Sequence, residues 1–545
     1  MEGHRPDAPN IILITADQLA ASFVGCYGSG VNSTPCLDTL AHRGTQFTRY
    51  YASSPVCAPN RATMLTGVSP EIHGIVSNHF ALPNDTPTFA HVLRQHGYRT
   101  GIFGKIHQTP MQWAPPDNVA YLGFDESVIS EDPKWGPWLD WVQAHHPDHY
   151  AAALAMTNSH SGVRGPDLPM DGIQGGSEEQ RALKAQVYED AMQKRMDASA
   201  WDRMYPSPLP AEVHDTVFIT ECGLDFIQRA ARHHAEPFFC QISYVDPHDS
   251  YDPPEPYASM FDPDAMPDPL PAEWKAQGPA FLDKVRDGYL NFRAICEDTP
   301  AIKKLRALYH GSVRLIDDQI QRLVNELEAM GLWENTILVF TSDHGDMMGD
   351  HGLIAKGVPH YDSCIRCPLI VTGADINQDV SDRLLCTLDL FPTLCDWAGV
   401  PTEDIPPYEG MSFAVPGHDR QDIVVSIGPA DSIITADGWR LTRYSHQDTG
   451  QLFNLQDDPA EQHNLYDEPG WSGRKIHMLE RLVKLRAAPR LQVQYRTLPS
   501  RDNHRWNATN NRSWPDYQLQ PSPWVEPGPK PEWQGSPRMG ITKGK

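Results

Sequence analysis

The chain has 545 residues, of which 40% are hydrophobic, 21% charged and 9% aromatic. This composition is typical of a folded globular protein, and the length favours two domains with an extension over one small core. Lys and Arg number 45 against 70 Asp and Glu, which gives a formal net charge of −25. Such an acidic chain is a poor candidate for binding nucleic acid or anionic lipid, and an anionic substrate would need a local cationic site.

The N-terminal segment predicts a cytoplasmic protein. Acidic residues precede the first apolar run, residues 11–14, which is too short for the hydrophobic core of a signal peptide. No apolar stretch approaches about 18 residues, so no membrane span is expected. We therefore expect the ten cysteines to be free thiols in a reducing compartment.

Buried strands are predicted at five short apolar runs, residues 11–14, 100–103, 238–244, 337–340 and 369–372. Runs of this length, separated by segments with helical spacing, are typical of an α/β sheet. Residues 307–330 have the apolar period of an amphipathic helix, which ends at Gly331. The pattern predicts one large α/β domain over residues 1–400.

The character of the chain changes after residue 400. Four runs, residues 423–427, 432–435, 439–444 and 451–455, are spaced like an antiparallel meander, and residues 475–487 have helical spacing. Residues 401–487 are therefore predicted to form a smaller α+β domain. Residues 488–545 are rich in Pro, Trp, Arg and Asn without periodicity, which indicates either a disordered tail or an extended arm. Their tryptophans favour an arm that packs on a neighbouring subunit, so a homo-oligomer is expected.

Polar and charged side chains follow four of the predicted strands. Any one of them could simply be a turn or helix-cap residue. Because ligands of α/β sheets bind beyond the carboxyl ends of the strands, however, their coincidence predicts one shared site for a metal and an anion. The residues are Asp17 and Gln18, then Lys105 and His107, then Asp246 and His248, and finally Asp343, His344 and Asp346.

The donor types predict one divalent metal ion. Asp17, Gln18 and Asp343 offer hard oxygens and His344 offers an imidazole, which suits Ca²⁺ or Mn²⁺. A thiolate zinc site is not expected, because the Cys-x-x-Cys pair at residues 364 and 367 has no second pair at suitable spacing. Those two cysteines are interpreted as structural.

The segment Cys57-Ala58-Pro59-Asn60-Arg61 is the most specific motif. In a chain of this composition, Cys-x-Pro-x-Arg is expected by chance roughly 0.07 times. Pro59 suits the first turn of a helix, which would place Cys57 at a positive helix N-terminus where an anion is stabilised. Arg61 would lie on the same face one turn later. The alternative is a buried structural cysteine at a helix start.

Taken together, the motifs resemble those of the type I sulfatases of the alkaline phosphatase superfamily, from Asn10 to about Leu465. The resemblance implies an alkaline-phosphatase-like large mixed sheet sandwiched by helices, with a smaller C-terminal α+β domain that carries an antiparallel sheet. It also implies oxidation of Cys57 to formylglycine by a formylglycine-generating enzyme. The matching segments are residues 57–67, residues 104–107, residues 342–346 with His351, Gly352 and Lys356, and residues 452–465.

Two positions depart from the commonest sulfatase pattern. Asp17-Gln18 and Asp343-His344 are similar to the phosphonate monoester hydrolases, a promiscuous branch of the superfamily. Lys105 and His107 are instead the sulfatase-like choices. The resemblance therefore fixes the reaction class more firmly than the preferred ester.

The resemblance also implies roles for the site residues. The formylglycine at position 57 would join Asp17, Gln18, Asp343 and His344 on the metal and form a covalent sulfo-enzyme hemiacetal with a small anionic ester. His107 would be the base that collapses this hemiacetal, and Arg61 would hold the formylglycine. His248 and Lys356 would assist the leaving alcohol, and Lys105 and Lys356 would bind the sulfate oxygens. Asn78 is a candidate for lining the substrate pocket, although loop polarity explains it equally well.

Hydrolysis of sulfate monoesters, most of all aryl sulfates, is the function predicted from these features. Hydrolysis of phosphonate monoesters or phosphodiesters at the same site is the nearest alternative. A non-catalytic metal-binding relative is a second. A phosphatase-like enzyme with a Ser or Thr nucleophile is disfavoured by the cysteine at position 57. The insert of residues 134–205 is expected to shape the pocket for the alcohol.

Overall fold

The computed structural model describes residues 8–110, 119–134, 136–157, 177–197, 203–232, 236–277, 282–283, 286, 295–415, 417, 419–445 and 447–487. These residues all lie within one compact unit, Met1–Thr497. The C-terminal tail, residues 488–545, lies outside the described residues, so the predicted arm is not tested. The boundary near residue 400 likewise stays a prediction.

A large mixed sheet forms the centre of the described part of the chain. Its strands are β1 Asn10–Ala16, β2 Thr45–Tyr51, β3 Arg99–Gly104, β4 Glu126–Ile129, β5 Phe238–Tyr244, β6 Thr336–Ser342, β7 Arg366–Gly373, β8 Asp379–Ser381 and β9 Leu385–Cys386. The strand order is β4-β3-β5-β1-β6-β7-β2-β8, and β9 also pairs with β2. Strands β4, β3, β5, β1 and β6 are parallel, whereas β7 is antiparallel to both β6 and β2.

Strand β1 shows why the sheet is covered on both faces. Ile12 and Ile14 belong to one apolar cluster, and Ile11 and Leu13 belong to another on the opposite face. Because successive side chains of a strand point to opposite faces, a strand that is apolar throughout is buried on both sides. The predicted mixed sheet between layers of helices is confirmed.

Helices of the described residues fill these two layers and the connections between strands. They span Pro35–Arg43, Cys57–Thr66, Pro70–His73, Phe89–Gln95, Pro137–His145, Tyr150–Met156, Glu178–Asp197, Asp215–Ala231, Trp274–Gln277, Thr299–Ala329, Asp362–Ile365, Leu390–Trp397 and Ser472–Ala487. We refer to Cys57–Thr66 as the signature helix and to Thr299–Ala329 as the long helix. The long helix starts earlier than the predicted residue 307, because Pro300 lies in its first turn and the Asp298 side chain caps the Ala301 N–H at 3.2 Å.

The C-terminal sheet is an antiparallel meander of β10 Asp422–Ile427, β11 Ala430–Thr435, β12 Trp439–Tyr444 and β13 Gly450–Asn454. One face packs Leu441 and Leu452 against Met478 of the helix Ser472–Ala487. The other face packs Ile434 and Phe453 against Tyr361. The predicted meander and its following helix are therefore confirmed, and the meander packs directly on the part of the chain that carries the large sheet.

Two expectations about the environment can be compared with the described residues. None of their helices is both long and apolar enough to cross a bilayer. All ten cysteines are described, and each is a free thiol. Cys364 and Cys367 are buried, as expected for structural cysteines.

Candidate active site

The carboxyl ends of β1, β3, β5 and β6 lie side by side and deliver the candidate residues to one edge of the sheet. Strand β1 pairs with both β5 and β6, and β3 pairs with β5, all in parallel. Asp17 follows β1, Lys105 follows β3, and Asp343 follows β6. The convergence predicted from the strand ends is thus what the parallel register produces.

Cys57 is the first residue of the signature helix, at the centre of this edge. Its Sγ lies 3.2 Å from His344 Nε2, 3.7 Å from Asp17 Oδ1 and 2.8 Å from Lys356 Nζ. The side chain is fully buried, and burial together with the Asp17 charge raises the pKa of the Cys57 thiol to about 12. An unmodified cysteine would therefore be a neutral thiol at neutral pH and a poor nucleophile.

Four of the five predicted metal ligands form one buried cluster. One ligand atom each of Asp17, Cys57, Asp343 and His344 lies within 4.8 Å of the others. His344 Nδ1 is 2.9 Å from the Gly345 carbonyl oxygen, which can only accept, so Nδ1 carries the proton and the Nε2 lone pair faces Cys57. Burial lowers the pKa of His344 to about 4, so the ring is neutral near pH 7. This donor set fits a divalent ion.

Gln18, the fifth predicted ligand, is held beside the cluster. Its Nε2 donates to Asp346 Oδ2 at 2.5 Å, and its backbone N–H donates to Asp343 Oδ1 at 3.0 Å. Gln18 Oε1 is buried and has no hydrogen-bond partner among the described residues. A buried acceptor without a donor is costly, so an ion beside it would supply the missing partner. Asp346 serves this arrangement, because it accepts from Gln18 and from Tyr251 Oη.

Arg61 stabilises the carboxylates of the site. Its Nε donates to Asp343 Oδ2 at 2.8 Å, and its Nη2 lies 3.5 Å from Asp17 Oδ2. Its Nη1 donates to the Lys105 carbonyl oxygen and to Ser243 Oγ, both at 2.9 Å. Arg61 thus holds two of the predicted ligands, and its expected contact with a formylglycine at residue 57 stays a prediction.

Two lysines provide the cationic character that the acidic chain requires. Lys105 is fully buried and its Nζ contacts both Asp17 and Asp132. Lys356 is half-buried and contacts Cys57. Burial disfavours the charged form of Lys356, but attraction to Cys57 and Asp17 outweighs it and raises its pKa above the usual value. Both ammonium groups are therefore present near neutral pH.

The two candidate proton-transfer histidines are buried at the same edge. His248 Nδ1 lies 2.7 Å from the Asp249 carbonyl oxygen, so Nδ1 carries the proton and Nε2 is the acceptor. The ring nitrogens of His107 have no hydrogen-bond partner within the described part of the chain. Burial and the Lys105 charge hold the pKa of His107 well below its usual range, so His107 is neutral and able to accept a proton.

Two predicted residues, Asn78 and Asp246, make structural contacts, and the expected place of Asn78 in the substrate pocket stays a prediction. Asn78 Oδ1 accepts the backbone N–H of Ala58 at 3.0 Å, which stabilises the N-terminus of the signature helix. Asp246 accepts from Thr216 Oγ1 at 2.7 Å and lies 3.4 Å from Lys134 Nζ. Asp246 thus anchors the loop that carries His248, and residue 134 of the predicted insert takes part in that anchor.

Glu131 and Asp132, which follow the short strand β4, were not predicted from the sequence. Glu131 Oε1 accepts the His107 backbone N–H at 2.8 Å, and burial raises the pKa of Glu131 to about 7. Asp132 contacts Lys105, as described above. A prediction would have required recognising β4, in which only the last of four residues is buried.

Comparison with known proteins agrees with this geometry. A family model described as Sulfatase matches residues 9–400, most of the chain. The chain belongs to the sulfatase family. An arylsulfatase of Clostridium perfringens is 28% identical over 492 residues, which cover 87% of this sulfatase and 94% of that protein. A choline-sulfatase of Rhizobium meliloti is 26% identical over 483 residues, which cover 85% of this chain and 83% of that protein.

Solved structures share the fold of this sulfatase. The phosphonate monoester hydrolase of Silicibacter pomeroyi superposes with a TM-score of 0.69 at 23% sequence identity, covering 88% of this chain and 95% of that one. Its similarity shows the alkaline-phosphatase-like fold. With the family match, the protein is a sulfuric ester hydrolase.

Proposed function

We propose that this sulfatase hydrolyses aryl sulfate monoesters with a formylglycine, formed from Cys57, as its nucleophile. The observation that carries the proposal is the position of Cys57, whose Sγ lies between His344, Asp17 and Lys356. At pH 7 a thiol with a pKa of about 12 would stay protonated there. A thiolate would also be a poor ligand for an ion held by oxygen and imidazole donors.

The residues present fit both groups that the proposal requires. A divalent ion, Ca²⁺ or Mn²⁺, held by Asp17, Gln18, Asp343 and His344 would supply a Lewis acid beside residue 57. A hydrated aldehyde at residue 57 would supply an oxygen nucleophile and a second hydroxyl through which sulfate can be released. Support for the ion comes from the unprotonated His344 Nε2, which faces residue 57, and from the unpartnered Gln18 Oε1.

The side chains around residue 57 would bind the ester and move its protons. Lys356 and Lys105 would attract the sulfate oxygens, in a buried environment where each charge acts more strongly than in water. His248, whose Nδ1 contacts the Asp249 carbonyl oxygen, would donate a proton from Nε2 to the leaving oxygen once Nε2 is protonated. His107 would accept the proton of the second hydroxyl at residue 57. Arg61 would keep Asp17 and Asp343 in place.

Steady-state kinetics test this proposal. The protein is co-expressed with a formylglycine-generating enzyme, and kcat/KM is measured with 4-nitrophenyl sulfate and with 4-nitrophenyl phenylphosphonate. We expect a higher value for the sulfate, and loss of both activities in Cys57→Ala. Cys26→Ala removes a half-buried thiol outside the site and is the matched control.

Hydrolysis of phosphonate monoesters is the second candidate function. Gln18 and His344 support this candidate, because these two residues are similar to those of the phosphonate monoester hydrolases. A higher kcat/KM for the phosphonate would replace our preferred assignment. Absence of turnover of both esters by the modified protein would support the non-catalytic alternative.

We further propose a cytoplasmic homo-oligomer that is matured by a formylglycine-generating enzyme. The ten free thiols support the reducing compartment. Light scattering on the full chain and on a chain ending at Ala487 tests self-association through the tail. We expect a larger assembly for the full chain, and equal masses for the two would contradict the predicted arm.

A further inference from the structure

The charge of Lys105 is opposed by two carboxylates instead of one. Its Nζ contacts Asp17, a predicted metal ligand, and also Asp132, from the loop after β4. All three side chains are buried. A lysine assigned to binding an anion therefore already has two anionic partners, so its net attraction for a substrate is reduced.

One carboxylate oxygen of Asp132 lacks a hydrogen-bond donor. Its Oδ2 is buried and has no hydrogen-bond partner among the described residues. One carboxylate oxygen each of Asp17 and Asp132 lies within 4.8 Å of the other and of one ring nitrogen of His248. Asp132 thus places a negative charge at the side of the site where His248 would meet the leaving oxygen.

The groups that face Asp132 do not remove this charge. Lys105 follows β3, Asp17 follows β1, and His248 lies on the loop after β5. The neutral His107 and Glu131, whose pKa burial raises to about 7, complete the surroundings. Lys105 and His248 keep the pKa of Asp132 below its ordinary value despite burial. The carboxylate is therefore ionised wherever the enzyme would work.

We infer that Asp132 is a specificity-determining residue that restricts the site to esters whose reacting group carries a single negative charge. Sulfate monoesters, phosphonate monoesters and phosphodiesters meet this condition. A phosphate monoester dianion carries a second charge, which Asp132 repels at short range in a buried setting. The inference rests on the proposed function, and it deepens that function because it excludes doubly charged esters.

The protein without substitutions provides the first test. The ratio of kcat/KM for 4-nitrophenyl phosphate to that for 4-nitrophenyl sulfate is measured from pH 5 to pH 8. The phosphate ester gains its second charge near a pKa of about 6, whereas the sulfate ester keeps one charge throughout. Ionisations of the enzyme that change both rates equally cancel in the ratio, and the Asp132 variants below separate the effect of Asp132 from that of Glu131. We expect the ratio to fall with rising pH, by up to about tenfold per unit. A flat or rising ratio would overturn the inference.

Asp132→Asn provides the second test, with Asp132→Ser in case the first variant folds poorly. At pH 8 we expect the phosphate-to-sulfate ratio to rise by roughly 10- to 100-fold, because a neighbouring negative charge has been removed. Both rates come from one sample, so a reduced fraction of folded protein does not alter the ratio. Asp140→Asn removes the same charge from an exposed position and should leave the ratio unchanged.

The outcomes separate this inference from the function on which it rests. If the protein without substitutions, matured with a formylglycine-generating enzyme, hydrolyses neither sulfate nor phosphonate esters, the proposed function fails. If it hydrolyses sulfate esters but the ratio is the same in Asp132→Asn, the role of Asp132 fails alone. If the original protein shows no phosphate turnover at pH 8, the variants must show it, and its absence from all of them contradicts the inference.

Discussion

His344 shows how one side chain can be prepared for a metal by its local contacts. Its Nδ1 proton is committed to the Gly345 carbonyl oxygen, and its Nε2 lone pair faces Asp17 and Asp343 at 3.8 and 3.7 Å. Because burial lowers the pKa of His344 to about 4, acid competes with a metal for Nε2 only below about that pH. The residue is thus a fixed neutral donor across the range in which most enzymes work.

Removing this donor should weaken metal binding without unfolding the chain. In His344→Ala we expect metal per chain, measured by plasma emission spectrometry, to fall, and kcat/KM on an aryl sulfate to drop by roughly 100-fold or more. Chelation of the unaltered protein should also abolish activity, and Ca²⁺ or Mn²⁺ should restore it. The matched control is His145→Ala, at an exposed position. Full metal content in His344→Ala would contradict its place among the ligands.

At the scale of single residues, site residues could be predicted from the sequence where they directly follow a strand with a clear apolar pattern. Asp17, Cys57, Asp343 and His344 were predicted to converge, and the structure brings their ligand atoms within 4.8 Å. Asp132 was missed because an acidic residue in a loop is ordinarily a solvated side chain. Its contact with Lys105 depends on a short edge strand whose pattern is too brief to identify.

At the scale of elements, the long helix stabilises a second helix by capping it. Asp317 Oδ2 and Oδ1 accept the backbone N–H groups of Cys36 and Leu37, each at 2.9 Å. These are first-turn donors of the helix Pro35–Arg43, which have no acceptor within that helix. One side chain therefore fixes the relative position of two elements in the same helical layer.

Truncating Asp317 should lower stability and leave the chemistry intact. We expect Asp317→Ala to cost about 1–3 kcal/mol, because two buried donors lose their acceptor. The midpoint of urea unfolding should fall, while the KM for an aryl sulfate stays unchanged. Glu326→Ala on the same helix is the control, and an effect of equal size there would contradict the capping role.

The sequence predicted elements with a strong apolar period and missed those without one. Strands β1, β3, β5, β6 and β7 are predicted and found; β5 has the predicted bounds, and the other four are longer than predicted. Strand β2 was missed, because Thr45–Tyr51 mixes polar and aromatic residues and owes its conformation to pairing with β7, β8 and β9. Such pairing joins segments far apart in the chain, so no local pattern reports it.

At the scale of the whole molecule, a buried ion pair links the meander to the large sheet. Arg440 of β12 is fully buried and contacts Glu461, whose Oε2 accepts the Asp362 N–H at 2.9 Å. The Arg440 guanidinium also lies 5.5 Å from the ring of Tyr361. Because Asp362 and Tyr361 follow shortly after Lys356, this contact supports the segment that leads from the active site.

Removing one partner of the Arg440–Glu461 pair should destabilise the protein more than replacing both partners. We expect Glu461→Gln to destabilise the protein by about 3–5 kcal/mol, because Arg440 is left buried without a counter-ion. The double variant Arg440→Met with Glu461→Gln should recover most of this loss in the unfolding midpoint. Asp437→Asn removes a partly exposed pair with Arg474 and should cost less than about 1 kcal/mol. Equal losses in the single and double variants would contradict this account.

The acidic balance of the whole chain fits the site only because its cations are local. The net charge is −25, yet Arg61, Lys105 and Lys356 all lie within the cluster around residue 57. An anionic ester is therefore attracted at short range, where screening by salt is weakest. In the proposed function, the reaction still depends on the conversion of Cys57 to formylglycine.

The mass of the tryptic peptide of residues 50–61 tests this dependence most directly. It is measured on protein purified after co-expression with a formylglycine-generating enzyme, in the same sample used for sulfate turnover. We expect a mass about 18 Da below that of the cysteine peptide, as an aldehyde at residue 57 requires. A sample that hydrolyses aryl sulfates while this peptide carries only unmodified cysteine would contradict the account.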